Sequence, residues 1–166
     1  MISKKIESAL NEQINAEFFS AYLYLSMSAY FQASNLPGFA NWTHIQYQEE
    51  ISHGMKIFNH INERGGKVVL DTIAKPQSKW TSVIEVFEQV LHHEQKVTKL
   101  IHNLVDLAVS EKDHATNNML QWFVAEQVEE ESTASDLLSN LKMIKDSKDS
   151  LFFMDKELLK RTFVAA

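Results

Sequence analysis

At 166 residues, with 22 acidic against 16 basic side chains and a net charge of −6, the chain is sized for one domain with its own core. Its carboxylate excess argues against nucleic acid as a partner and suits cations. Cysteine is absent, which excludes disulfides and thiolate metal sites and leaves oxygen and imidazole to hold any tightly bound metal.

From Met1 to Phe19 the chain carries Glu7, Glu12 and Glu17 and no continuous apolar stretch, so it does not read as a secretory signal. No apolar run nears the ~20 residues that cross a bilayer, and a soluble, cytoplasmic protein with no membrane partner is expected. Four glycines and two prolines punctuate the chain instead of scattering through it, so helices should dominate.

The first helix is predicted from about Ser3 to Ala33, with Leu10, Ile14, Glu17, Ala21, Tyr24, Ser28 and Phe31 on one face at alternating steps of three and four. Asn35 to Gly38 form a turn. A second helix runs from about Pro37 to Arg64, bracketed by a proline at its start and Gly65-Gly66 at its close, with Trp42, Gln46, Glu50, His53, Ile57 and Ile61 inward. Residues 65–81 lose the helical period and include a short β-prone stretch, as a crossover from one end of a bundle to the other would. The third helix, about Ser82 to Ser110, aligns Val83, Phe87, Val90, Glu94, Val97, Ile101, Leu104 and Ala108. The fourth, about His114 to Ile144, aligns Leu120, Phe123, Gln127, Glu130, Ala134, Leu137, Leu141 and Ile144. The tail carries Leu151, Phe152, Phe153, Leu158 and Leu159 and reads as a short fifth helix that packs against neighbouring subunits. The predicted fold is all-α: an up-down-down-up four-helix bundle over residues 1–145, with a long crossover between the second and third helices, and a fifth helix and tail over 146–166 in the same domain.

Each of the four long helices interrupts its apolar stripe with a ligand type, and the interruptions repeat. Glu50 follows Glu17 by 33 residues, Gln127 follows Glu94 by 33, and the two sets are offset by 77, with His53 and Glu130 each three residues after the second member. Unpaired carboxylates in a dry core cost several kcal/mol or more, and multivalent cations remove that cost. One carboxylate from each of two helices plus a Glu-x-x-His from each of the others is the recurrent dinuclear iron or manganese arrangement of bundles. Half of that pattern is present here, with a variant of the other half. Glu17, Glu50 and His53 grip one metal; Glu94, with Gln127 and Glu130 nearby, makes a second position, and Glu50 bridges them. Taken singly, each reads as readily as a solvated glutamate; at matched spacing, five together do not.

Glu49 and Glu126 share the 77-residue offset, and Glu126 and Glu129 flank the site with Glu130 as a third cation position, although a solvated acidic face reads the same. Tyr24, two turns beyond Glu17, offers a phenol for hydrogen bonding or one-electron chemistry, with plain core packing as the even alternative. Trp122 is read as a core residue beside Glu126. His44, His60, His92, His93, His102 and His114 lack matched partners and are read as surface or supporting residues. The turn Glu111-Lys112-Asp113 fits an ion entry route and a solvated turn equally.

The segments NEQINAEFFSAYLYLSMSA, YQEEISHGMKIF, HHEQKVT, QWFVAEQVEEE and LFFMDKEL, one from each helix, make nearly the whole chain resemble the ferritins, and specifically the bacterial non-haem ferritins. The resemblance implies a cage of 24 identical subunits, with fifth helices gathered at fourfold axes around a cavity that stores ferric mineral. It implies ferroxidase activity: oxidation of Fe²⁺ by dioxygen or hydrogen peroxide at a dinuclear iron centre. In that family Glu17, Glu50 and His53 match the first iron site, Glu50, Glu94 and Gln127 the second, and Glu49, Glu126, Glu129 and Glu130 a third, with Tyr24 beside them. Haem-binding relatives repeat Glu-x-x-His on the fourth helix and place a methionine after the second-helix glutamate. Gln127, Glu130 and Ile51 stand at those positions, so no haem is expected. The rival readings are a non-catalytic metal-binding helical bundle and a small di-iron oxidase or peroxidase.

Overall fold

The protein is described over residues 1–164 by a computed structural model, in which five helices and no strands are found. They are α1 (Lys4–Ala33), α2 (Pro37–Glu63), α3 (Val83–Ser110), α4 (His114–Ile144) and α5 (Lys148–Leu158). Residues 165 and 166 of the expected tail lie outside the described residues.

Local chemistry sets these boundaries. Ser3, Ser82, Asp113 and Ser147 cap α1, α3, α4 and α5, each accepting from the backbone N–H three residues on. A cap of this kind contributes about 1 kcal/mol. Asn35, Gly65 and Lys112 take left-handed φ values of 56°, 68° and 55° just past the ends of α1, α2 and α3, turning the chain out of the helix.

Contacts at the ends fix the directions. The Ile2 N–H donates to the Arg64 carbonyl, so α1 begins where α2 ends. Lys5 pairs with Glu111 and Tyr30 packs on Trp80, so α1 also runs opposite to α3. Arg64 binds Asp113 and His60 meets Thr116, which sets α4 antiparallel to α2. The bundle is therefore up-down-down-up, as expected.

The stripe residues of α1 and α2 are all buried. Two corrections fall at helix ends further on. Val83 is half-buried while Val86 is buried, and Leu138 takes the inward place expected for Leu137, with Ile144 half-buried. On α4 strict three-four stepping accumulates phase error because a helix has 3.6 residues per turn, whereas Val83 keeps the phase of its stripe and is half-buried as the first residue of α3.

The β-prone reading of 65–81 is also corrected: the crossover has no ladder and instead lies along α1. The Lys67 N–H donates to Glu7, Val69 N–H to Asn11 Oδ1, Asn15 Nδ2 to the Thr72 carbonyl and Ser26 Oγ to the Gln77 carbonyl. The outward polar face of α1 thus supplies the partners that a second strand would have given. Trp80 closes the crossover, buried in the upper core and donating its indole N–H to Gln89.

α5 reaches back to the start of α2. That start has Leu36 at its cap position and no side-chain cap of its own. Asp155 fills the role, its Oδ1 accepting from the N–H groups of Gly38 at 2.7 Å and Phe39 at 3.0 Å. A side chain at Gly38 would collide with the Asp155 carbonyl, so only glycine allows the approach. Phe152 and Phe153 of α5 and Leu159 just past its end stay exposed.

Candidate metal centre

Midway along the bundle the apolar core divides into two clusters. One is built around Phe31, Phe39 and Phe87, the other around Ile14, Ile57 and Ile101. The polar seam residues lie between them. Glu17, Glu50, His53, Glu94, Gln127 and Glu130 are all buried, with Glu94 fully so and Glu130 the most open at 7%. The two apolar clusters on either side of this polar layer keep water out.

Glu17, Glu50 and His53 bring one oxygen, one oxygen and one ring nitrogen within 4.8 Å of one another. His53 Nδ1 is 3.5 Å from Glu50 Oε2, and both Glu50 Oε2 and His53 Nε2 lack a hydrogen-bond partner. Glu17 is steadied by Gln13, whose amide donates to its Oε1 at 2.8 Å. Buried polar atoms left without partners are rare in folded proteins and call for a missing partner. Two carboxylates and an imidazole are a donor set for iron or zinc.

The α3–α4 residues are arranged differently. Tyr24 Oη donates to Glu94 Oε1, and Gln127 Nε2 donates to the backbone carbonyl and Oε2 of Glu94, both at 3.2 Å, and to Thr98 Oγ1 at 3.3 Å. Glu130 Oε2 accepts from Gln46 Nε2 at 2.8 Å.

Burial is the leading cause that raises the Glu17, Glu50 and Glu94 carboxyls, and it lifts Glu130 to about 8. Neighbouring carboxylates add to it: Glu50 acts on Glu17, and Glu94 and Glu130 act on Glu50. Burial next to Glu94 also pushes the Tyr24 phenol well above its ordinary value. Without a cation the site therefore holds protons, because several negative charges cannot share so dry a space.

The residues expected at a third position are not gathered into one cluster. Glu126 lies 3.9 Å from His53 Nε2, Glu49 is half-buried and bound by Arg161 at 2.7 Å, and Glu130 is held by Gln46. Glu129 is exposed, since it follows inward Gln127 by two residues, a rotation of roughly 200°. Trp122 is half-buried and meets His53 edge-on, with ring centroids 5.3 Å apart, while Lys56 lies over its face. Of the unmatched histidines, His93 is the most involved. Its ring packs on Phe19 and meets Ser20 Oγ at 2.7 Å, and burial lowers its pKa to about 4. Glu111 and Asp113 in the α3–α4 turn are taken up by Lys5 and Arg64.

Sequence reasoning passed over Gln13 as a supporting residue and read Gln46 only as part of the inward face. The signal was present: Gln46 follows Gln13 by the same 33 residues that separate Glu50 from Glu17, one turn ahead of each carboxylate. Thr98 and Glu131, joined by a hydrogen bond behind Gln127, carried no such mark.

Known proteins share this arrangement of helices. A family profile described as Ferritin, a ferritin-like domain, matches residues 7–144. The chain is 44% identical over 163 residues to a bacterial non-heme ferritin of Staphylococcus epidermidis, covering 98% of each. It is 45% identical over 161 residues to one of Bacteroides fragilis, covering 97% of this chain and all of that one. Among solved structures, a ferritin of Archaeoglobus fulgidus engineered to a closed form superposes with a TM-score of 0.98 at 52% identity, over 99% of this chain and 100% of that one. The open-pore ferritin of the same archaeon gives 0.96 at 53%, over 98% and 100%. With identity this high along almost the whole length of these relatives, the chain belongs to the ferritin family.

Proposed function

We propose that the chain is an iron-storage subunit that oxidises Fe²⁺ to Fe³⁺ at a dinuclear site inside its own helical bundle and passes the product to a mineral enclosed by a cage of like subunits. The observation that carries this reading is the unpartnered pair Glu50 Oε2 and His53 Nε2, facing Glu17 in the dry centre of the bundle. Fe²⁺, the substrate, supplies the missing partner. Glu17, Glu50 and His53 take the first ion, and Glu94 and Gln127 take the second with Glu50 between the two. Gln13 and Gln46 keep Glu17 and Glu130 oriented while protons leave.

Each ferrous ion displaces protons from carboxyls that burial has raised, and each gives up one electron. Two Fe²⁺ with dioxygen and two protons yield two Fe³⁺ and hydrogen peroxide; with hydrogen peroxide as oxidant they yield two Fe³⁺ and two waters. The all-oxygen and imidazole donor set favours the harder Fe³⁺ and so assists the electron loss. Tyr24, bonded to Glu94, is placed to hold a proton or donate an electron. Exposed Val69, Leu70 and Ile73 on the crossover and Phe152 and Phe153 on α5 are apolar surface of the kind that subunit contacts cover, which supports an assembly.

The test is anaerobic loading of the apoprotein with Fe²⁺ followed by dioxygen or peroxide, while ferric absorbance and particle size are recorded. Rapid oxidation of two irons per chain in a particle of several hundred kilodaltons is expected. A small particle, or ferrous iron that binds without oxidising, overturns the reading.

A further inference from the structure

A further side-chain contact beside the centre that no expectation covered comes from the segment after α5. After α5 the segment folds along the outer side of α2, where Asn41 Nδ2 donates to the carbonyls of Leu158 and Arg161, both at 3.1 Å. This places the Arg161 guanidinium against α2 from three directions. It binds Glu49 Oε2 at 2.7 Å, donates to the Trp42 carbonyl at 3.5 Å and lies over the Trp42 ring at 4.9 Å. Only 26% of its side chain and 18% of that of Glu49 reach solvent, so the pair is less screened than an exposed one.

Glu49 adjoins Glu50 in sequence and lies within electrostatic reach of His53 and Glu126. It is one of the carboxylates that the sequence reading groups at a third cation position beside the dinuclear site. A divalent ion that uses Glu49 must displace the guanidinium or share the carboxylate with it, and two like charges against one carboxylate repel. Arg161 is already oriented by its stacking on Trp42 and by the pinned backbone, so it gives up little entropy in holding Glu49.

We propose that Arg161 is a built-in counter-cation that holds Glu49 away from a third metal ion, so that the C-terminal segment sets how tightly that ion is bound. Arg161 is a positioning residue and touches neither of the two principal ions. The inference rests on the dinuclear reading above, because only a third equivalent is affected.

The assay is calorimetric titration of the assembled apoprotein with Zn²⁺, which reports binding without redox turnover. Arg161→Gln is expected to tighten the third equivalent about five- to tenfold while the first two bind as in the parent. Arg161→Lys, which keeps the charge, returns the third equivalent toward the parent value. Asn41→Ala, which releases the segment with Arg161 intact, shifts the third equivalent in the same direction by a smaller factor and replaces the Arg161→Gln arm if that variant does not assemble. Two normal equivalents with an unchanged third in both Arg161→Gln and Asn41→Ala overturn the inference alone. A parent protein that binds no Zn²⁺ at its buried carboxylates overturns it together with the dinuclear reading.

Discussion

The two helix pairs contribute equal numbers of ligand residues to the centre but hold them in opposite states. On α1 and α2, Glu50 Oε2 and His53 Nε2 have no partner and stand within reach of Glu17. On α3 and α4, Glu94 is bonded by Tyr24 and Gln127, and Glu130 is bonded from across the bundle by Gln46. One half is an open set of donors awaiting a cation. The other is a closed polar network that must give up hydrogen bonds before it can bind one. On the dinuclear reading, a cation is expected to fill the α1–α2 position first, where Glu50 Oε2 and His53 Nε2 have no partner to give up, and the second position at the cost of about 1 kcal/mol for each neutral hydrogen bond exchanged.

Glu50 joins the halves, so its removal tests the comparison hardest. Glu50→Ala is expected to abolish binding at both positions and to slow ferrous oxidation more than about 100-fold, measured by stopped-flow absorbance. His53→Ala separates the halves. Calorimetry with Zn²⁺ should show loss of the tighter of two equivalents, whereas Glu94→Ala should remove the weaker. The opposite assignment breaks the proposed filling order.

Protonation offers a second handle. Carboxyls at the centre are raised on folding from a value of 4.5, with Glu130 reaching about 8, so between these limits the folded apoprotein holds protons that the unfolded chain releases. Stability due to Glu130 is fully present below about pH 4.5, falls as pH rises, and is lost on passing about 8, and the other raised carboxyls act in the same direction. Thermal unfolding of the apoprotein is therefore expected at progressively lower temperature from pH 5 to pH 8. Saturating Zn²⁺ should flatten or reverse that trend, because the metal takes the place of the protons. A metal-free melting temperature that climbs through this range would contradict the burial-driven shifts.

Smaller effects are expected within the α3–α4 half. Gln127→Glu adds a negative charge where a neutral amide now contacts Glu94, and should slow release of ferric product severalfold in single-turnover experiments. Release as fast as in the parent would remove the role assigned to the amide. Tyr24→Phe deletes the phenol that occupies Glu94 Oε1 and should tighten the second Zn²⁺ equivalent by about fivefold or less, the equivalent of one hydrogen bond. No change there would show that the closed network does not oppose metal entry.

Much of the molecule was legible before the fold was known. The stripe of α1 and the inward face of α2 are buried as expected, and the 33- and 77-residue offsets marked all six inward ligand-type residues. The failures have local causes. Leu137 was placed inward by a stepping rule that drifts against 3.6 residues per turn, and Val83 is half-buried because it begins α3. Residues 65–81 contain β-branched side chains, but the partners of their backbone are Glu7, Asn11, Asn15 and Ser26 on α1, which a propensity for strand cannot anticipate. Glu129 is a different case: it is exposed on α4, which both of its sequence readings, a third cation position and a solvated face, allow.

Residue order alone determined the helices, their ends and the ring of carboxylates, because helical period and capping act over a few residues and leave a repeat that can be counted. The open and closed states of the two halves, the cap that Asp155 lends to α2 and the hold of Arg161 on Glu49 were decided only by the fold. Apart from the Gln127–Glu94 bond, those contacts join groups more than 65 positions apart, and they exist because packing the helices brings particular donors and acceptors to one depth in the bundle.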